Sequence, residues 1–216
     1  MRDNQDFRPT IHVLAGTNGA GKSSIAGAGF RQVGADYFNP DEAARRIVAA
    51  NPELTPEQAN SLAWHEGKRL LECAIEKQLD LAFETTLGGN TIATLLQRAG
   101  ETGLDVRVWY AGLSSPELHI ARVRARVAKG GHDIPESKIR ERYDQSRANL
   151  IHLLPWLTSL RLYDNSEEGD PATVGPSPKL ILSLDEGRIV QVLPRNEVPQ
   201  WAKPIVTAAL KIFSAS

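Results

Sequence analysis

Apolar residues fall into short continuous runs, separated by longer stretches in which they recur every three or four positions. The runs predict strands and the spaced stretches predict amphipathic helices. Ile11 to Gly16 (IHVLAG) reads as a buried strand, and Gly21 to about Arg31 as a helix. Tyr37 to Asn39 is a short strand. NPDEAARRIVAA opens with a cap-like residue and continues with helical spacing. Thr55 caps a further helix with Pro56 in its first turn, running to about Gln78. LDLAFETT is a strand, followed by a helix from about Asn90 to Glu101. Leu104 to Leu113 is a long apolar strand, read as buried on both faces. Ser115, Pro116 and Glu117 start a helix to about Lys129, and GGHDIP breaks it. A helix from about Glu136 to Leu154 and the strand SLRLYDNS follow, then the loop PATVGPSP. KLILSLDEGRIVQVLP predicts a hairpin around Asp185, Glu186 and Gly187, and a last helix spans about Pro199 to Phe213.

Strands separated by helices of ten or more residues imply parallel pairing. The expected fold is α/β, with a mostly parallel sheet flanked by helices and a C-terminal hairpin and helix at about 179–213. At 216 residues the chain is expected to be a single domain, 1–216, large enough for a substantial core.

Between the first strand and its helix, side chains almost vanish. Gly16-Thr17-Asn18-Gly19-Ala20-Gly21-Lys22-Ser23 matches the phosphate-loop pattern G-x-x-x-x-G-K-[ST]. Glycines let successive N–H groups turn inward onto phosphate oxygens, and the helix N-terminus adds its dipole. Gly16, Asn18, Gly19, Ala20, Gly21, Lys22, Ser23 and Ser24 are thus predicted to hold ATP. Lys22 would reach the β- and γ-phosphates, and Ser23 would ligate Mg²⁺. The fold expectation sharpens to a P-loop NTPase.

Partner motifs narrow the class. No Asp-Glu pair ends a strand, since Asn165 follows Asp164, so the parts of a transporter-type ATPase are missing. No N-K-x-D stretch marks a guanine-binding switch. A small-molecule kinase needs a strand-end carboxylate and a basic lid, and both have candidates. Asp41 follows the second strand, where it can take a proton from an attacking hydroxyl; the competing reading makes it a helix cap. Glu84, with Thr85 and Thr86, ends the third strand and is read as binding substrate hydroxyls; the alternative is a carboxylate that orders the next loop. From His119 to Arg147 there are eight Lys/Arg against four Asp/Glu. Arg126, Arg140 and Arg142 bracket Gly130-Gly131, which suggests a lid over about 119–147 that brings charge onto the transferring phosphoryl group. The competing reading is a solvated helix face. Arg122 shares a face with Arg126, and Arg124 points elsewhere. His132 reads as a hinge residue and Cys73 as core.

Charge and composition exclude rather than identify. A net charge of −1 gives no sign of nucleic acid or acidic membrane as partner. One cysteine permits no internal disulfide. A polar N-terminus and the lack of a long apolar run lead to the expectation of a cytoplasmic protein.

The set AGTNGAGKSS, FNPDEAAR, FETTLGG, RVRARVAKGGHDIPESKIRERYDQSRANL and YDNS, in that order over about Ile11 to Ser166, resembles the zeta toxin family. It is most similar to the family's compact bacterial branch. The resemblance implies a P-loop kinase-like fold that uses ATP and Mg²⁺. It also implies phosphorylation of UDP-N-acetylglucosamine at a sugar hydroxyl, and an antitoxin partner that blocks the nucleotide site. Carried over by motif, Lys22 is the phosphate-loop lysine, Asp41 the catalytic carboxylate and Glu84 a substrate-binding glutamate. Arg126 matches the first lid arginine, while Arg140 and Arg142 compete for the second. The chain lacks the longer sugar-binding insertions of the larger toxins. Two rivals remain at this point: an NTPase that uses hydrolysis as a conformational switch, and a nucleotide-binding module that acts through protein partners.

Overall fold

The computed structural model describes residues 8–22, 25, 37–131, 133–167 and 178–213. The predicted helix after the phosphate loop lies largely outside them, as do Ser23, Ser24, His132 and nearly all of the PATVGPSP loop. The strands are β1 (Thr10–Ala15), β2 (Tyr37–Phe38), β3 (Leu81–Thr85), β4 (Asp105–Gly112), β5 (Ser159–Asp164), β6 (Lys179–Asp185) and β7 (Arg188–Val192). The helices are α1 (Pro40–Ala50), α2 (Pro56–Lys77), α3 (Asn90–Glu101), α4 (Pro116–Val127), α5 (Glu136–Leu153) and α6 (Lys203–Phe213).

Seven strands form one sheet in the order β2-β3-β1-β4-β5-β6-β7. The first five in sequence are parallel and the last two antiparallel. From β1 the chain goes to one side of the sheet for β2 and β3, then to the other for β4 and β5. Such a reversal opens a crevice beyond the C-terminal ends of the strands on either side of it. The chain enters that crevice where β1 ends, at Gly16. The turn into β7 has both central residues at positive φ, Glu186 at 46° and Gly187 at 71°. That is the two-residue hairpin geometry whose twist suits the flanking strands.

Local chemistry explains the helix starts. Asn39 Oδ1 accepts from the N–H groups of Asp41 and Glu42 at the head of α1. Thr55 and Gln58 form a reciprocal capping box on α2, and Ser115 accepts from the Leu118 N–H on α4. The main core lies on one face of the sheet. There Ile11, Val13, Phe83, Val108 and Leu160 meet apolar stripes of α2, α3, α5 and α6. Three small clusters sit apart: Ile120, Val123, Ile134 and Ile139 join α4 to α5, Ala44, Ala59 and Ala63 join α1 to α2, and Leu14 with Ala82 packs against Trp109. Among the described residues no helix is long and apolar enough to cross a membrane.

Three expectations need correction. β4 is buried on both faces only toward its end, because Asp105, Arg107 and Trp109 are half-exposed. There the strand is amphipathic, with Arg107 near Asp105, Asp185 and Glu186. The last helix begins at Lys203, four residues later than expected, since Pro199 to Ala202 form a turn that buries Trp201. Cys73 is half-buried rather than core: the buried stripe of α2 runs through Leu71, Ala74 and Ile75 instead.

Candidate active site

The phosphate loop is held in place by the protein itself. Gly16 has φ +138°, and a Cβ there would stand 2.2 Å from the carbonyl oxygen of Ala111 on β4. Gly19 has φ +82°, and its Cβ would meet the His119 carbonyl of α4 at 2.7 Å. These glycines therefore serve the fit of the loop against its own scaffold, a reason additional to phosphate approach. Three elements then bond the loop. On α4, His119 Nδ1–H donates to the Asn18 carbonyl at 2.8 Å, since a carbonyl can only accept. On α5, Arg142 Nη1 donates to Asn18 Oδ1 at 2.8 Å, and its carbonyl accepts from Thr17 Oγ1 at 3.3 Å. Beyond β5, Asn165 Nδ2 donates to the Ala20 carbonyl at 2.9 Å.

His119 is 1 % exposed, and burial pulls its imidazole down to about 4, with the bond to Asn18 acting the other way. It is neutral in the folded protein at pH 7. The folded value lies below the unfolded one, so the unfolded chain takes up the proton first as pH falls. Stability is therefore highest above about 6.5 and drops between there and about 4. His119→Gln should remove on the order of 1–2 kcal/mol of this acid loss. Urea midpoints at pH 7.5 and pH 5 for both proteins check it; parallel pH slopes would rule out the assignment.

Lys22 is 8 % exposed and spans the loop mouth. Its Nζ donates to the Gly16 carbonyl at 2.8 Å and lies 3.4 Å from Glu84 Oε1. The parallel register explains this reach, because Glu84 is opposite Leu14, two residues before Gly16. The other oxygen of Glu84 accepts from Tyr37 OH at 2.7 Å and Asn39 Nδ2 at 3.0 Å. Burial, then the nearby carboxylate, raises the Tyr37 phenol, so it remains a donor. Asn39 thus does two jobs, capping α1 and orienting Glu84.

Asp41 follows the cap and is not itself the cap. Its carboxylate is partly exposed, 4.0 Å from Arg126 Nη1. Arg142 lines the same cavity, its side chain packed on Gly88. Burial lowers the Arg142 guanidinium while Asp41 acts the other way. Arg140, by contrast, is an exposed partner of Glu117 at 2.6 Å, and Arg124 pairs with Glu136 on the outer side. The hydroxyls of Thr85 and Thr86 accept from Leu87 N–H and Gly88 N–H, which shapes the loop after β3. That loop is fastened to α5: Ser146 Oγ donates to the Thr86 carbonyl, and Asn149 Nδ2 donates to those of Leu87 and Gly89. From Arg142 onward α5 is therefore anchored to the loop after β3.

Lys22, Asp41, Glu84 and Arg142 face one cavity of about 530 Å³. Its far wall is one stripe of α2, carrying Glu57, Asn60, Ser61, Trp64 and Lys68 at helical spacing. The cavity combines part of the phosphate loop, the carboxylates of Asp41 and Glu84, a half-buried arginine and a polar helix face. His119, Asn165, Ser146 and Asn149 were not expected as site-building residues. Their partners lie dozens of residues away, so no local pattern marks them. Asn165 sits in the YDNS stretch, which carried no assigned task.

A family model described as zeta toxin matches residues 2–154. An uncharacterized protein of Haemophilus influenzae is 35% identical over 129 residues, covering 59% of this chain and 88% of that one. A chain of the AvrRxo1-ORF1:-ORF2 complex crystallised with ATP superposes with a TM-score of 0.66 at 17% identity. The match takes in 94% of this chain, which spans 64% of that longer one. A chain of the PezAT chromosomal toxin–antitoxin system of Streptococcus pneumoniae superposes with a TM-score of 0.57 at 14% identity, over 100% of this chain and 90% of that one.

Proposed function

The chain belongs to the zeta toxin family, and from that premise we propose that it is an ATP- and Mg²⁺-dependent phosphotransferase acting on a hydroxyl of a small metabolite. A nucleotide-sugar of the UDP-N-acetylglucosamine kind is the acceptor class the reading favours. The observation that carries it is the convergence of Lys22, Asp41, Glu84 and Arg142 on one cavity beside the phosphate loop. The N–H groups of the loop and Lys22 hold the β- and γ-phosphates. Asp41 accepts the proton of the acceptor hydroxyl as its oxygen bonds to the γ-phosphorus, while the bond from that phosphorus to the bridging oxygen breaks and ADP leaves. Arg126 and Arg142 balance the charge on the transferring group. Glu84, with Thr85 and Thr86, orients the acceptor.

The residues present fit a magnesium ion. Among the described residues no three His, Cys, Asp or Glu gather as a metal cage. Magnesium at such sites keeps its waters and is held by substrate phosphates with one or two protein oxygens. The Ser23 hydroxyl, just outside the described residues, would supply one such oxygen. Bound there, the ion would neutralise charge on the phosphates. We also propose a cytoplasmic setting, where ATP is at hand, and an antitoxin as protein partner.

Incubation of the protein with a metabolite pool and γ-labelled ATP tests the reading. A labelled organic product is expected. Release of labelled phosphate alone, undiminished when the pool is omitted, would replace the kinase by an NTPase. Between the two competing arginines the geometry favours Arg142. Arg142→Ala should lower turnover about 10²–10³-fold, as loss of one preorganised charge donor does. Arg140→Ala breaks an exposed ion pair of about 0–1 kcal/mol and should leave turnover near wild type. Turnover of the two folded variants settles the choice, and equal losses would refute it.

A further inference from the structure

Past residue 154 the chain lies outside the stretch matched to the family, yet its side chains reach the walls of the phosphate loop. The first contact is steric. Trp201, 4 % exposed in the turn before α6, lays its indole on Gly112 at the end of β4. A Cβ on Gly112 would stand 2.2 Å from that ring. The ring also stacks on Tyr110, with centroids 6.4 Å apart and planes 28° apart. Between Tyr110 and Gly112 lies Ala111, whose carbonyl backs Gly16. Trp201 therefore covers the strand end against which the phosphate loop is built.

The second contact is polar. A buried indole N–H needs an acceptor, and that of Trp201 donates to Asp164 Oδ1 at 3.2 Å. The same oxygen accepts from the Ser166 N–H at 3.2 Å and from the Ser166 hydroxyl. Three donors on one oxygen fix the turn Asp164-Asn165-Ser166. That turn serves two walls of the loop. Asn165 donates its N–H to the Gly112 carbonyl at 3.0 Å and its Nδ2 to the Ala20 carbonyl at 2.9 Å. Ser166 Oγ accepts from the Ser114 N–H at 2.8 Å. Next to Ser114 is Ser115, the cap of α4, and α4 carries the His119 that holds Asn18.

A third path returns to the same place. Arg147 of α5 donates to the Trp201 carbonyl at 3.4 Å, with its guanidinium 4.1 Å from the centre of the Tyr143 ring. Tyr143 OH donates to the Ser114 carbonyl at 3.2 Å. Both backbone groups of Ser114 thus answer to Trp201, one through Asp164 and Ser166, the other through Arg147 and Tyr143. Apolar packing accounts for the ring of Trp201 but not for its aimed N–H.

We propose that Trp201 and Asp164 are positioning residues for the nucleotide: through the turn at 164–166 they hold the phosphate loop and the head of α4 at the spacing that ATP requires. The proposal rests on the reading of the loop as an ATP site and is independent of the acceptor.

Trp201→Phe keeps a ring on Gly112 and removes the N–H donor. Asp164→Ala removes the acceptor, and Asp164→Asn restores it, since an amide oxygen accepts from the same donors. Val206→Ala, at a buried position of α6 outside the network, controls for lost apolar packing. Calorimetry on the full chain measures affinity for a non-hydrolysable ATP analogue with Mg²⁺. Trp201→Phe and Asp164→Ala should each weaken it about tenfold, the scale of one hydrogen bond to a charged group. Asp164→Asn and Val206→Ala should stay within about threefold of wild type. In the transfer assay the KM for ATP should rise in the first pair while the acceptor KM holds. Hydrogen exchange of residues 16–22 in the nucleotide-free protein should quicken in that pair and not in Val206→Ala. Unchanged affinity in folded Trp201→Phe and Asp164→Ala would overturn the proposal. So would losses in all four variants that follow their melting temperatures, because Trp201 would then act by packing alone. The expected binding pattern in a protein that transfers no label would keep the proposal and remove the phosphotransfer reading instead.

Discussion

Asp41→Asn is expected to bind ATP normally and to lose about 10²–10⁴-fold in turnover, the range for a positioned proton acceptor. The structure makes this substitution cleaner than the sequence did. The cap of α1 is Asn39, whose side chain takes the Asp41 and Glu42 N–H groups. Changing Asp41 therefore leaves the cap intact, and asparagine keeps the shape. What it removes is the basic oxygen and the partner of Arg126 at 4.0 Å. Loss of that partly exposed pair costs little stability. Nucleotide affinity measured beside transfer rate checks the result. Wild-type turnover in a folded Asp41→Asn protein would exclude Asp41 as the base.

Lys22→Ala should lower nucleotide-dependent turnover by about 10²–10³-fold or more. It also has a structural consequence that a surface lysine would not. Lys22 lies 3.4 Å from Glu84 in a nearly dry setting. Its removal leaves a half-buried carboxylate with Tyr37 and Asn39 as neutral donors, and a carboxylate stripped of its cation is costly to keep buried. Lys22→Ala should thus be less stable in the absence of nucleotide, and the double variant Lys22→Ala/Glu84→Gln should recover much of that stability without recovering activity. Thermal unfolding and turnover of the three proteins separate the two effects. Near-normal turnover by folded Lys22→Ala would defeat the kinase reading.

Much of this architecture was readable from neighbours along the chain. Thr55 and Gln58, Ser115 and Pro116, and the Asp185-Glu186-Gly187 turn each declare a boundary through contacts within a few residues. The order of strands and helices followed from the same local periods. β4 was misread because its leading half hides charges among apolar letters: Asp105 and Arg107 point to a face that carries other charges, so their burial is partial. The site divided along the same line. The phosphate-loop pattern and the strand-end acids are local and were visible. Whether Arg140 or Arg142 faces the loop depends on the rotation of α5. That rotation is fixed by Ile139, Leu150 and Leu153 packing inward and by Ser146 and Asn149 gripping the loop after β3. Two arginines two residues apart point in very different directions on a helix, and the sequence alone did not say which way the helix was turned.

The bonds that fix the phosphate loop also set when it can take shape. Asn18 waits for His119 and Arg142, at sequence separations of 101 and 124 residues, and Ala20 waits for Asn165 at 145. Contacts this distant along a chain require long loops to close first. On a ribosome the residues of the loop are made before the groups that hold it, for His119 follows β4 and Asn165 follows β5. A nascent chain therefore carries the phosphate-loop letters long before it carries the groups that fix the loop's shape.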